Sequence, residues 1–93
     1  MKYEMLYLID PSITDEQRDA CITKFEKTVQ DLKGTVLSID KWGNKKLAYP
    51  INYKTEAFYV LMTFEAAGSI LKELDRIVGL TECVLRRMIT KVV

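Results

Sequence analysis

Histidine is absent from the 93 residues, which removes the commonest general base, the commonest zinc ligand and the base of a Ser or Cys triad together. That argues against hydrolytic chemistry of those kinds. Cysteine is scarce: Cys21 and Cys83 lie far apart with no Cys-x-x-Cys spacing. They fail the metal-ligand template and do not make a secreted disulfide scaffold, so the expectation is two buried free thiols. An excess of one charge is missing too, since 14 Lys and Arg stand against 13 Asp and Glu for a net charge of +1. Any attraction to nucleic acid must therefore come from local basic patches and not from a whole-molecule field. No apolar run approaches the ~20 residues needed to cross a bilayer, and the opening Met-Lys-Tyr-Glu-Met lacks the apolar core of a signal peptide. A cytoplasmic location with no membrane partner is expected.

What is present is the balance of an ordinary globule, 48% apolar and 29% charged. A chain this short builds one core, so residues 1–93 read as a single domain. Lys2 to Ile9, aromatic and aliphatic and closed by Asp10-Pro11-Ser12, reads as a strand followed by turn residues. Thr14 with Gln17 makes a capping-box pattern, and Cys21/Ile22, Phe25, Val29 and Leu32 recur at helical spacing, which predicts a helix from about Asp15 to Lys33 ended by Gly34. Thr35 to Tyr49 reads as two strand runs joined by a sharp turn at Gly43-Asn44, a ribbon whose protruding tip carries Lys45 and Lys46. Asn52 to Glu56 reads as a polar connection, and Ala57 to Phe64 as a central strand. Ser69 caps a second amphipathic helix stopped by Gly79, and Cys83 to Val93 forms the last strand. The order β-α-β-β-α-β, with right-handed crossovers, closes into an α+β ferredoxin-like arrangement: a four-stranded antiparallel sheet with two helices on one face.

Strand parity sorts the side chains. Glu4, Thr63 and Glu65 mark the outside, so Met5, Tyr7, Ile9, Phe58, Val60, Met62 and Phe64 should pack on the helices. Leu6, Leu8, Tyr59 and Leu61 are left on the open face as an apolar patch of the kind that marks an interaction surface. Lys45 and Lys46 lie between Trp42 and Tyr49, and basic residues interleaved with aromatic ones supply phosphate contacts and stacking surfaces for unpaired bases. Lys2 and Tyr3 open the first strand, Tyr3 serving equally well as a core-edge ring or a stacking residue. Arg86 and Arg87 point to opposite faces of the last strand; parity alone does not say which shares the open face, and Lys91 has the facing of Arg87.

The string Trp42-Gly-Asn-Lys-Lys-Leu-Ala-Tyr-Pro-Ile51 resembles the signature of the bacterial small-subunit ribosomal protein that is sixth in its series. The resemblance extends over nearly the whole chain, through Asp-Pro-Ser-Ile after the first strand, the Tyr-Val-Leu-Met strand and the Val-Leu-Arg-Arg-Met ending. It implies a non-enzymatic ferredoxin-like domain, without cofactor or small-molecule substrate, that binds the central domain of small-subunit ribosomal RNA with the small basic eighteenth protein of that subunit as heterodimer partner. It favours Arg86 and Lys91 as RNA contacts, beside Lys2, Tyr3, Lys45, Lys46 and Arg87. The partner is then expected on the open sheet at Leu6, Leu8 and Leu61 or on the Leu47-Ala48-Tyr49 edge. Two other readings exist. A stand-alone RNA-recognition module would begin its third strand with a basic residue and Gly-Phe/Tyr-Gly-Phe, where this chain has Thr55-Glu56-Ala57-Phe58. A regulatory or small-molecule domain on the same fold would need a Gly-bearing or phosphate-cradling loop after the first strand, where this chain has Asp10-Pro11-Ser12-Ile13.

Overall fold

In the computed structural model, which describes residues 1–51 and 53–92, strand β1 (Lys2–Ile9) leads into helix α1 (Asp15–Asp31), followed by β2 (Thr35–Ile51) and β3 (Lys54–Glu65). A single 3-10 turn (Gly68–Ile70), helix α2 (Leu71–Gly79) and β4 (Val84–Lys91) complete the chain. Asn52 and Val93, expected in the polar connection and at the end of the last strand, lie outside the described residues. The sheet order is β2-β3-β1-β4, every neighbouring pair antiparallel. This is the ferredoxin-like α+β arrangement, with β1 and β3 at the centre and β2 and β4 as edges.

Period-two alternation builds the core. Tyr3, Met5, Tyr7 and Ile9 face Phe64, Met62, Val60 and Phe58 across the β1–β3 register, and all but the half-buried Phe58 are buried. The helices close over them with Ile22, Phe25 and Val29 from α1 and Leu74 and Val78 from α2. The two rings at its centre, Tyr7 and Phe25, meet edge to face at 5.1 Å and 89°, a geometry that adds to area burial. Helix α1 starts where its capping box places it: Gln17 N–H donates to Thr14 Oγ1 at 3.1 Å and Thr14 N–H to Gln17 Oε1 at 3.1 Å. Its end differs from expectation. The left-handed residue that breaks it is Lys33 (φ 71°), ahead of Gly34. Ser69 also makes no side-chain cap, because the chain enters α2 through the 3-10 turn that contains it.

Two corrections concern the stretch that carries the site. No hairpin turn forms at Gly43-Asn44: β2 runs unbroken for 17 residues and the reversal comes instead between Ile51 and Lys54, where Tyr53 takes φ 65°. Gly43 keeps its positive φ of 88° as a bulge residue, opposite Tyr59, where the register slips between Lys41 and Gly43. A bulge bends a strand where a turn would reverse it. The second correction is that Cys21 and Cys83 are not buried free thiols. Both are half-buried and their sulfurs are bonded to each other, an encounter between α1 and the approach to β4 that only the tertiary fold creates.

The Tyr7 hydroxyl, fully buried, has no hydrogen-bond partner among the described residues. Its pKa is pushed well above the ordinary phenol value, first by burial and then by the nearby Glu26 carboxylate. The folded protein therefore keeps Tyr7 neutral after the unfolded chain has begun to ionise. This contribution is fully present below about pH 10 and is lost as pH rises above it, at a limiting slope of about 1.4 kcal/mol per pH unit. Denaturation in a pH 8–12 series should show this alkaline loss in the natural chain and a shallower one in Tyr7→Phe; equal slopes would mean that Tyr7 is not the group responsible.

Candidate nucleic-acid interface

Trp42 has the facing of Asp40, which lies opposite Leu61 on the open face of the sheet, and its ring stacks on Tyr59 at 6.3 Å with planes 13° apart. The indole N–H donates to Asp40 Oδ2 at 3.1 Å, which fixes the ring's rotation. Lys45 Nζ sits 5.4 Å from the Trp42 centroid, within cation–π range. From Tyr59 the row continues by register: Tyr59 faces Leu8, and Leu8 faces Arg86. Lys45, Trp42, Tyr59 and Arg86 thus make a strip across all four strands, basic at both ends and aromatic in between. Leu8 lies under this strip and is only 6% exposed. The expectation of an exposed Leu8 is therefore corrected: Tyr59 and Arg86, its lateral neighbours, cover it.

The register also separates the two arginines. In the β1–β4 pairing the only slip falls between Leu8 and Ile9, so Arg86 lies opposite Leu8 on the open face and Arg87 opposite Tyr7 on the helix face. Arg87 is committed there: its Nε donates to Asp75 Oδ1 at 3.0 Å and its Nη2 to Asp75 Oδ2 at 3.3 Å. Gly79 makes room for that crossing, since a Cβ there would come within 2.7 Å of Arg87 Nη2. With no slip between Arg86 and Lys91, Lys91 keeps the facing of Arg87, at the far end opposite Tyr3. Lys2 is exposed at that same far end, opposite Glu65. Tyr3 is a correction. It is buried, with its ring against Phe64 at 5.8 Å, because its parity is that of Met5 and Tyr7, and no ring face is left for a base.

Lys45 and Lys46 sit within β2, opposite Ala57 and Glu56, where the β2–β3 ribbon runs past the last β1 pairing at Ile9 and Phe58. Neighbouring cations are paired: Lys41 with Asp19 and Lys54 with Asp10, both at 3.6 Å. The Asp10 carboxyl is held below its ordinary value, chiefly by the Ser12 N–H and hydroxyl with Lys54 assisting, so it is a standing negative charge. Among the described residues no carboxylate lies within ion-pair distance of Lys45, Lys46 or Arg86. Beside the strip is an apolar floor, a hollow of about 320 Å³ formed by Leu6, Leu61 and Met88 with Glu4, Trp42 and Thr90 at its margin. Leu47 is half-buried in the projecting ribbon, and Ala48 and Tyr49 are exposed. Among the described residues no group of three or more Cys, Asp and Glu could hold a metal ion, and no helix is long and apolar enough to cross a membrane.

A family model described as "Ribosomal protein S6" matches residues 2–91. The chain belongs to the ribosomal protein S6 family. Two relatives bear the name small ribosomal subunit protein bS6. The one from Caldanaerobacter subterraneus subsp. tengcongensis is 37% identical over 89 residues, 96% of this chain and 94% of its own length. The one from Clostridium botulinum (strain 657) is 39% identical over 88 residues, 95% of this chain and 94% of its own. Among solved structures, the crystal structure of 30S ribosomal protein S6 from Thermotoga maritima matches with a TM-score of 0.94 at 25% identity, over 98% of this chain and 86% of that one. S6 is a structural protein of the small subunit of the cytoplasmic ribosome, and it is not an enzyme.

Once Arg86 is assigned to the open face, Met88 must share it, and Met88 is indeed 55% exposed opposite Leu6. Trp42 shares the open face by simple alternation from Asp40, and the bulge at Gly43, which alternation does not foresee, brings Lys45 to the same face opposite Ala57. Trp42 is the sole tryptophan, so its fluorescence reports the strip directly. Tyr59→Ala should shift its emission to the red and raise acrylamide quenching while leaving the far-ultraviolet circular dichroism unchanged. Unaltered emission and quenching would mean that the stack does not persist in solution.

Proposed function

We propose that the chain acts as one domain, residues 1–93, binding the central domain of small-subunit ribosomal RNA together with the eighteenth small-subunit protein. The observation that carries this reading is the strip Lys45–Trp42–Tyr59–Arg86, where unpaired cations flank a stacked aromatic pair. The cations neutralise phosphates and release counterions, and aromatic faces accept unstacked bases. The floor of Leu6, Leu61 and Met88 gains nothing from phosphate and is suited to burial against a protein. A small basic partner seated there would extend the basic strip into a continuous surface and supply the phosphate attraction that a net charge of +1 withholds. Leu47, Ala48 and Tyr49 offer that partner a second contact along the outer edge. Lys2 and Lys91, at the opposite end of the sheet, serve as peripheral phosphate contacts, and Arg87, held by Asp75, serves the fold.

One observation favours a second reading. A stacked pair on an open sheet face is also how a stand-alone RNA-recognition module reads bases. Titration of central-domain RNA with and without the partner separates the two. Weak binding alone and tight binding as a heterodimer are expected, with Arg86→Ala lowering the slope of log affinity against log salt by about one unit and Arg87→Ala leaving it unchanged. Tight, partner-independent binding would favour the second reading, and an unchanged slope in Arg86→Ala would remove Arg86 from the interface.

A further inference from the structure

On the side of the molecule away from the strip, Cys21 of α1 and Cys83, one residue before β4, meet across 62 positions of sequence with their sulfurs bonded. We propose that Cys21 and Cys83 are a reversible oxidation site, closed by neutral hydroperoxides and opened by small thiols, that staples α1 to the foot of β4. Three features of the surroundings carry this. First, the pair is reachable: both residues are half-buried and border an open cavity of about 470 Å³ between α1 and the β4 foot. A structural thiol sealed in a core would exchange with nothing. Second, Glu82 borders the same cavity beside Asp10, whose charge is shared with Lys54, and the Glu82 carboxylate disfavours anionic reagents such as glutathione disulfide while leaving an uncharged peroxide unhindered. Third, the foot of β4 lies where regular sheet pairing is interrupted, so a covalent tie to α1 adds a constraint that the ladder does not supply there. Asp10 N–H donates to the Cys83 carbonyl at 2.8 Å and Val84 N–H to that of Thr81 at 3.1 Å, and the β1–β4 register slips at Leu8 and Ile9 just alongside.

A small-subunit protein works in a compartment that keeps thiols reduced, where a disulfide is a transient or sensing device and not a permanent brace. The chemistry balances with one hydrogen peroxide per pair. One thiolate attacks a peroxide oxygen, the O–O bond breaks, the attacked oxygen stays on sulfur with its hydrogen as a sulfenic acid, and the departing hydroxide takes up one proton to leave as water. The second thiolate displaces the sulfenic oxygen, which leaves as a second water, and the S–S bond remains. Two equivalents of a low-molecular-weight thiol reverse it by exchange, ending as their own disulfide.

The test takes the full chain, reduced and then exposed to stoichiometric hydrogen peroxide or, separately, glutathione disulfide. With peroxide the expected result is loss of both titratable thiols, an intact mass lower by two hydrogens, a peptide map joining Cys21 to Cys83, and a melting temperature higher by roughly 10 °C, reversed by dithiothreitol. Glutathione disulfide should act more slowly. Cys21→Ser and Cys83→Ser should each abolish the shift. Persistence of both thiols, oxidation beyond the sulfenic stage, intermolecular dimers, or an unchanged melting temperature in the joined form would overturn the proposal, and faster closure by glutathione disulfide would overturn the preference for neutral oxidants. These readouts involve no RNA, so they stand or fall apart from the RNA-binding reading.

Discussion

The register of β1 between β3 and β4 is the constraint on which everything else rests. Because side chains alternate along a strand, one frame decides two surfaces at once. It sends Met5, Tyr7 and Ile9 under the helices with Val60 and Met62, and it leaves Leu6, Leu61, Arg86 and Met88 on the open side. A slip of one residue would bury Arg86 and expose Tyr7, which no helix packing could tolerate. The stability of the core and the composition of the binding face are therefore one choice, and the hydrophobic effect acting on Phe25, Leu74 and Val78 enforces it.

The near-neutral composition acquires its meaning from where charges are spent. Arg18 is tied to Asp15 and Asp19, Lys41 to Asp19, Lys54 to Asp10, Arg76 to Glu73 and Arg87 to Asp75. Exposed pairs of this kind add little stability, but each cancels a positive field. Among the described residues Lys45, Lys46 and Arg86 stand outside these pairs, so their charges are left for a ligand. Trp42 and Tyr59 lie between these cations, which concentrates charge and stacking surface in one place.

Much of this was legible in the chain, because it depends on local rules. Capping by Thr14 and Gln17, the helical spacing of Ile22, Phe25 and Val29, and the alternation in β1 and β3 all read correctly, and with them the fold. The errors fall where a local signal has two structural uses. Gly43 has the left-handed backbone that a turn signal foretells, yet a bulge needs the same backbone, and only pairing with Tyr59 selects the bulge. Tyr3, open between a core-edge ring and a stacking residue, goes to the core because it shares the buried parity, whereas Leu8 was misjudged because it has the open parity but is covered by its neighbours across the sheet. The choice between Arg86 and Arg87 needed the register, and the meeting of Cys21 with Cys83 needed the packing of α1 beside β4, which no spacing encodes.

The central claim, that the open sheet face is the surface covered in the small subunit, is tested most directly by hydroxyl-radical footprinting of the free protein against the same protein in assembled small subunits. Trp42 and Met88, 42% and 55% exposed in the free chain, carry two of the most readily oxidised side chains on that face, whereas Leu80, 69% exposed, lies beyond α2 on the helix side. The account predicts strong protection of Trp42 and Met88 on assembly with little change at Leu80. Undiminished oxidation of Trp42 and Met88 in the subunit would contradict it.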